Sequence, residues 1–339
     1  MEKIDFVLTW VDGSDTLWLA EKRKWEGNKE SSSEEANAEC RYRADIDLLR
    51  YWFRSVEKCA PWVNKIHFVT CGQKPEWLNE NHPKLNLVNH KDYIPNEFLP
   101  TFNSNAIELN YHRIKELSDC FVLFNDDMFL LQPLLPEFFF RNGMPVLDTD
   151  LRYPDHYGFN NWSRVMFNDY CVVNKSFVIK KSIKKNAKKW FSVKNLGVGR
   201  SVANYLCFKI NGTLPVSNYG HIATPHLKST LQEVWDKQPE IMAQTSSHKF
   251  RTDDQVNQWL LSAWSQAKGS FSPARRKKLG VRIVLCPDFL KMATDIIKNR
   301  SYPQLCLNDT QFNTDPTTSL REITKAFEMV FPDKSLFEK

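Results

Sequence analysis

Residues 4–15 read IDFVLTWVDGSD and residues 121–129 read FVLFNDDMF. Each opens as a β-branched and aromatic run and breaks abruptly into Asn, Asp or Gly. A run this short, bounded by turn residues, reads as a buried strand. Residues 66–70 (IHFVT) and 85–88 (LNLV) read the same way. Segments of helical period lie between them. Over 45–58, Ile46, Leu49, Phe53 and Val56 share one stripe, which Ala60-Pro61 ends; over 105–117, Ile107, Tyr111, Ile114 and Leu117 share another. Strands alternating with helices predict an α/β fold with a mostly parallel sheet covered on both faces. Ligands of such sheets bind beyond the carboxyl ends of the strands. The polar stretches from Thr9 to Asp15 and from Asn125 to Asp127 are therefore expected to face one crevice.

The chain has 339 residues, 42% apolar and 25% charged, which excludes a disordered chain, a coiled coil and a collagen. It has no run of eighteen apolar residues, so no transmembrane helix is expected. The N-terminus lacks a signal-peptide pattern, and a cytoplasmic protein is expected. The net charge of +6, from 46 basic and 40 acidic residues, does not point to nucleic acid. Eight cysteines (Cys40, Cys59, Cys71, Cys120, Cys171, Cys207, Cys286 and Cys306) contain no CxxC pair, so free thiols rather than a zinc ribbon are expected. Neither GxGxxG nor a Walker-type phosphate loop occurs.

Residues 29–39 (KESSSEEANAE) read as a flexible loop. Beyond residue 130 the pattern is less regular. Lysines at 180, 181, 184, 185, 188 and 189, and the run Arg275-Arg276-Lys277-Lys278, are either a solvated basic face or a surface for anionic membrane or glycan. Thr224-Pro225 predicts a helix start, Thr252 with Gln255 and Ser319 with Glu322 predict capping boxes. With no repeat and no linker, one domain over 1–339 is expected. Its α/β core would span 1–130, and 131–339 would add helical elaboration that completes the site.

Several residues invite chemistry. Adjacent carboxylates at Asp126 and Asp127 either form a solvated turn or hold a cation between them, for which Mg²⁺ or Mn²⁺ is suited. Asp12-Gly13 and Asp15 follow the first strand and read equally as turn chemistry. Trp10 either stacks on a base or packs in the core. Asn105 and Glu108 fit a capping box or, with His112, a polar helical face. His226, at the expected helix start, should be neutral and able to act as a base, or is a buried hydrogen-bonded histidine; His221 is the weaker candidate. Arg251 suits a phosphate, while Asp253 and Asp254 fit first-turn acids.

The same residues resemble the Stealth family of sugar-1-phosphate transferases in four ordered blocks. The first is IDFVLTWVDGSD; the second starts at Arg41 with RYRADIDLLRYWFRSVEKCAPWVNKIHFVTCGQKPEWLN and runs through LPTFNSNAIELNYHRI to FVLFNDDMF, ending at Phe129. The third holds ATPHLKSTL and HKFRTDDQV, and the fourth is CLND, residues 306–309. The resemblance implies a Rossmann-like, GT-A-like α/β domain with helical additions in the C-terminal half, 1–130 binding the nucleotide-sugar and 131–339 lying on the acceptor side. It implies transfer of a sugar-1-phosphate from a UDP-hexose, such as UDP-GlcNAc, to a hydroxyl of a glycan or lipid-linked glycan in capsule or exopolysaccharide synthesis. It assigns catalysis to His226, Arg251, Asp127 and Glu108, with Asp12 as second choice for the base. Donor binding falls to Thr9, Trp10, Asp12, Gly13, Asp15, Arg41, Asn103, Ser104, Asp254 and Asn308. Mg²⁺ or Mn²⁺ falls to Asp126, Asp127 and Asp309. The rival readings are a metal-dependent glycosyltransferase that releases UDP and a non-catalytic glycan-binding subunit. Peripheral contact with the inner face of the membrane is a further expectation; a nucleic-acid partner is not expected.

Overall fold

The computed structural model describes residues 2–27, 48–149, 151–152, 161–214, 216–217, 220–275, 279–308 and 317–339. The loop expected over 29–39, Arg41, Asp309 and residues 276–278 of the basic run lie outside the described residues.

Strands β1 (Ile4–Thr9), β2 (Ile66–Thr70), β3 (Leu85–Asn89), β4 (Cys120–Asn125) and β10 (Thr224–Leu227), numbered in chain order, build the central sheet. Their spatial order is β10-β4-β1-β2-β3. The first four strands run parallel, and β10 is antiparallel on the β4 edge. The fold is thus α/β, with the mostly parallel Rossmann-like sheet that the alternating pattern predicts. Alternate residues point to opposite faces. Phe6, Leu8, Phe68, Val122 and Phe124 join a core with Trp52, Phe53 and Val56 of the helix Leu49–Cys59. Val7, Val69, Phe121 and Leu123 join a second core on the other face, with Leu231, Leu260 and Trp264. Burial on both faces is why the strands read as continuous apolar runs.

Two short strands bring the chain's far end to the site. β5 (Met128–Leu130) follows the Asp126-Asp127 turn, and β13 (Gln304–Asn308) pairs with it antiparallel, Cys306 opposite Met128. β12 (Val281–Val284) extends that sheet in parallel. β6 (Phe140–Arg141), β7 (Met144–Asp148) and β11 (Ser272–Ala274) form a small sheet, and β8 (Leu151–Arg152) pairs with β9 (Val216–Ser217).

Five local expectations are corrected. Thr224-Pro225 does not start a helix: it opens the edge strand β10, where proline costs no central ladder bond, and the helix begins at Lys228. The helix expected over 105–117 is only Ser104–Glu108, followed by a 3₁₀ turn at Tyr111–Arg113. Its N-cap is Asn103, so Asn105 and Glu108 form no capping box. Thr252 and Gln255 cap nothing either. Thr252 Oγ1 donates to Asp254 Oδ1, Gln255 Nε2 to the Phe250 carbonyl, and the helix starts at Trp259. The last helix runs Thr317–Val330, which places Ser319 inside it rather than at its cap.

Candidate active site

The carboxyl ends of β1 and β4 are adjacent, with Thr9 opposite Asn125. The loop after β1 is built by its own polar groups. Asp12 Oδ1 accepts from the Ser14 amide (2.9 Å) and hydroxyl (2.6 Å), closing a turn that contains Gly13. Asp15 accepts from the amides of Leu17 (2.9 Å) and Trp18 (3.2 Å) and so caps the helix Thr16–Glu26. Gln73, after β2, clamps this loop. Its amide nitrogen donates to Asp15 Oδ2 (2.8 Å) and the Asp12 carbonyl (3.1 Å), and its oxygen accepts from the Asp12 amide (2.8 Å). Gln73 first, then the helix-start amide of Trp18, hold the Asp15 carboxyl below its usual range. Trp10 stacks on Phe68, with centroids 5.6 Å apart. Thr9 hydrogen-bonds the Tyr111 hydroxyl. These contacts give Asp12, Gly13 and Asp15 the work of shaping the loop.

The turn after β4 separates its two aspartates. Asp126 is exposed, whereas Asp127 is half-buried. The Leu307 amide donates to the Asp127 carbonyl (2.9 Å), which fixes the β13 end against the turn. Asp127 Oδ2 is then approached by the Cys306 thiol (3.3 Å), Asn308 Nδ2 (3.5 Å) and His221 Nε2 (3.4 Å). Asn125 Nδ2 lies 3.4 Å from the same His221 nitrogen. Ligand atoms of Asp127, His221 and Cys306 all fall within 4.8 Å of one another. The donor set differs from the Asp126, Asp127 and Asp309 trio expected from the sequence, since Asp126 faces solvent and Asp309 is not among the described residues. It still fits a divalent ion. Mg²⁺ is commonly held by one or two carboxylates plus substrate phosphates, and Asp127 offers one. The Cys306 thiol beside that carboxylate makes the site softer than an all-aspartate one, which favours Mn²⁺ or a thiophilic ion over Mg²⁺.

Glu108 ends the short helix Ser104–Glu108 and is buried. Burial pushes its carboxyl up to about 7; Arg251 and His221 are near enough to pull against that rise. Arg251 donates to Ser104 Oγ through Nε (3.2 Å) and Nη2 (2.8 Å), so Ser104 positions the guanidinium. Asn103 is buried: its oxygen caps the helix at Asn105 N and its nitrogen donates to the His248 carbonyl. Asp254 is held by Thr252, Gln244 (2.8 Å) and His248 (3.3 Å).

His226 is not brought to this edge. It pairs with Phe121, at the amino end of β4, and its Nε2 lies 2.7 Å from Gln258 Oε1. Burial, opposed by the Gln258 bond, lowers it to about 4. It is neutral as expected, but through burial in a sheet rather than through a helix start. His221, which just precedes β10, lies at the edge instead. Sequence reading also missed Cys306 and Gln73. The signal for Cys306 was its place in CLND, two residues before Asn308. Gln73 carried the same kind of signal, its place in the second block just after a strand.

Two family models match this chain: Stealth protein CR1, conserved region 1, over residues 2–30, and Stealth protein CR2, conserved region 2, over residues 41–146. The chain is 41% identical to a capsular polysaccharide phosphotransferase WcwK of Streptococcus pneumoniae, covering 100% of both chains. It is 38% identical to the receptor polysaccharide phosphotransferase WefC of Streptococcus oralis, again over 100% of both. A capsular polysaccharide phosphotransferase of Streptococcus thermophilus, eps5J, is 45% identical over 56% of this chain and 79% of its own.

Proposed function

Since this chain belongs to the Stealth family, we propose that it is a transferase of capsule or exopolysaccharide synthesis that moves a hexose-1-phosphate from a UDP-hexose to a glycan hydroxyl. The observation that carries this reading is the convergence of Asp127, His221, Glu108 and Arg251 beyond the carboxyl ends of β1 and β4. A carboxylate for a divalent ion, a guanidinium and a base are what phosphoryl transfer requires, because its catalysis is mainly positioning and charge stabilisation.

The acceptor oxygen bonds to the phosphorus that carries the sugar. The bond from that phosphorus to the bridging oxygen breaks, and UMP leaves with the electron pair. His221 takes the acceptor proton in place of His226, because its ring reaches the crevice and His226 is sealed in the sheet. Arg251, positioned by Ser104, holds a phosphoryl oxygen as charge develops. Glu108 is poised to exchange a proton near neutral pH or to hold a sugar hydroxyl. Asp127, assisted by Asn308, would hold Mg²⁺ or Mn²⁺, and the ion would neutralise the diphosphate. The loop from Trp10 to Asp15 forms the donor's floor. The anomeric carbon keeps its configuration because none of its bonds breaks. An acceptor carried on lipid at the inner membrane face would account for a peripheral enzyme; among the described residues no helix is long and apolar enough to cross a membrane.

The test is the nucleotide released from UDP-GlcNAc or another UDP-hexose in the presence of Mg²⁺ and a glycan acceptor. UMP that disappears with EDTA, Asp127→Ala or His221→Ala supports the proposal. UDP would place attack at the anomeric carbon and make the protein a glycosyltransferase.

A further inference from the structure

One surface of the molecule combines an exposed apolar helix with charge of a single sign. Between residues 170 and 232 the chain carries ten lysines and one arginine and no aspartate or glutamate, while its overall net charge is only +6. The helix Val198–Asn211 lies within that stretch. It turns Ser201, Asn204 and Phe208 inward, where Phe208 packs with Ile183, Trp190 and Phe271. Its other face is apolar and open: Val198 (66%), Val202, Tyr205, Leu206 and Ile210 (80%) are exposed. At 3.6 residues per turn these five side chains cover one continuous arc of about 140°. Such an arc exceeds the scattered apolar residues of an ordinary surface.

The cations frame this arc. Lys209 lies inside it with its ammonium over the Tyr205 ring (5.6 Å). The Lys180 ammonium sits beside Gly212 at the helix's C-terminus, and the Arg275 guanidinium beside Gly197 at its N-terminus. Lys180, Lys181, Lys184 and Lys185 are exposed on the helix Ile179–Lys185, whose Ile183 enters the same core as Phe208. Lys189 is the exception: it donates to the carbonyls of Gly269 (2.6 Å) and Phe271 (2.7 Å) and serves the fold. A second copy docked on this face would oppose two like-charged fields. A nucleic acid would use the cations but not an aliphatic arc. A bilayer with anionic headgroups uses both.

We propose that the helix Val198–Asn211 lies in the surface of an anionic phospholipid bilayer, its apolar arc at the acyl boundary and the surrounding lysines on lipid phosphates. The contact is independent of the transfer chemistry. Only its use, to bring the site to a lipid-linked acceptor, rests on the function proposed above.

The experiment is cosedimentation of the full chain with vesicles of phosphatidylcholine alone or with one third phosphatidylglycerol. The expected result is binding to the anionic vesicles only, weakened by salt. Leu206→Glu with Ile210→Glu should lower the partition by roughly a hundredfold. Lys181→Gln, Lys184→Gln and Lys185→Gln together should lower it by on the order of a hundredfold and flatten its salt dependence. Both variants change exposed side chains, and circular dichroism checks each fold. Equal binding to both vesicle types, no binding to either, or unchanged binding by the apolar variant would overturn the proposal. So would a dimer that Ile210→Glu dissociates in the absence of vesicle binding, which would assign the face to a second copy. UMP release enters none of these outcomes, so the contact and the transfer reaction fail separately.

Discussion

Replacing Glu108 with glutamine should stabilise the protein above neutral pH while removing its activity. Burial raises the carboxyl from 4.5 to about 7, against the pull of Arg251 and His221. Between those pH values the folded chain holds a proton that the unfolded chain has released. Stability therefore falls as pH rises through the window, and the loss is complete above the folded value. A shift of this size corresponds to about 3 kcal/mol. Glutamine keeps the shape and cannot ionise, so Glu108→Gln should be more stable than the parent by about 3 kcal/mol at pH 8 and nearly equal to it at pH 4.5. Urea unfolding of both proteins at the two pH values measures the difference. The pH profile of UMP release should show a limb near neutrality in the parent, and the variant should show little turnover at any pH. A variant that is less stable at pH 8, or a stability difference that does not change with pH, would refute the reasoning that Glu108 is a carboxyl held against its own solvation.

Other outcomes separate the two histidines, the loop and the ion. His221→Ala should cost on the order of 10² to 10⁴ in UMP release, whereas His226→Gln should leave turnover close to the parent's. His226 is lowered from 6.5 to about 4, so its contribution is present above 6.5 and is lost as pH falls towards 4; His226→Gln should flatten that acid limb in unfolding by about 3 kcal/mol. Asp15→Ala removes the cap of the helix Thr16–Glu26 and the Gln73 clamp, and should lower stability by about 1 kcal/mol and raise the Michaelis constant for the donor. Zn²⁺ should inhibit the Mg²⁺-supported reaction, because Asp127, His221 and Cys306 offer it oxygen, nitrogen and sulfur within 4.8 Å. Cys306→Ser should shift the inhibition curve to higher Zn²⁺.

The sheet was legible because its strands are buried on both faces. Runs such as Ile4–Thr9 and Cys120–Asn125 declare themselves without help from partners, and their abrupt polar ends marked the edge where the candidate site lies. Local capping rules did less well. Thr224-Pro225 carries a helix-start signature, yet the free edge of β4 recruits it as a strand, a tertiary choice that four residues do not encode. That misreading placed His226 at the crevice, where the fold puts His221 instead. Similarly, Asp126 and Asp127 are equivalent in sequence, and only the pairing of β5 with β13 turns one inward beside Cys306. Glu108 could be read as a cap until Asn103 was seen to take that place. The apolar arc from Val198 to Ile210 was hidden by its own periodicity, because an amphipathic helix does not say which face meets water and which meets another surface.

In the proposed transfer the bond broken lies between phosphorus and the UMP oxygen. A UDP-hexose carrying ¹⁸O in the bridge between the anomeric carbon and phosphorus tests it directly, by mass spectrometry of both products after one turnover with acceptor. Attack at phosphorus carries the label into the glycan phosphodiester and leaves none in the released UMP. Label recovered in released UDP, with an unphosphorylated glycoside as the other product, would contradict it.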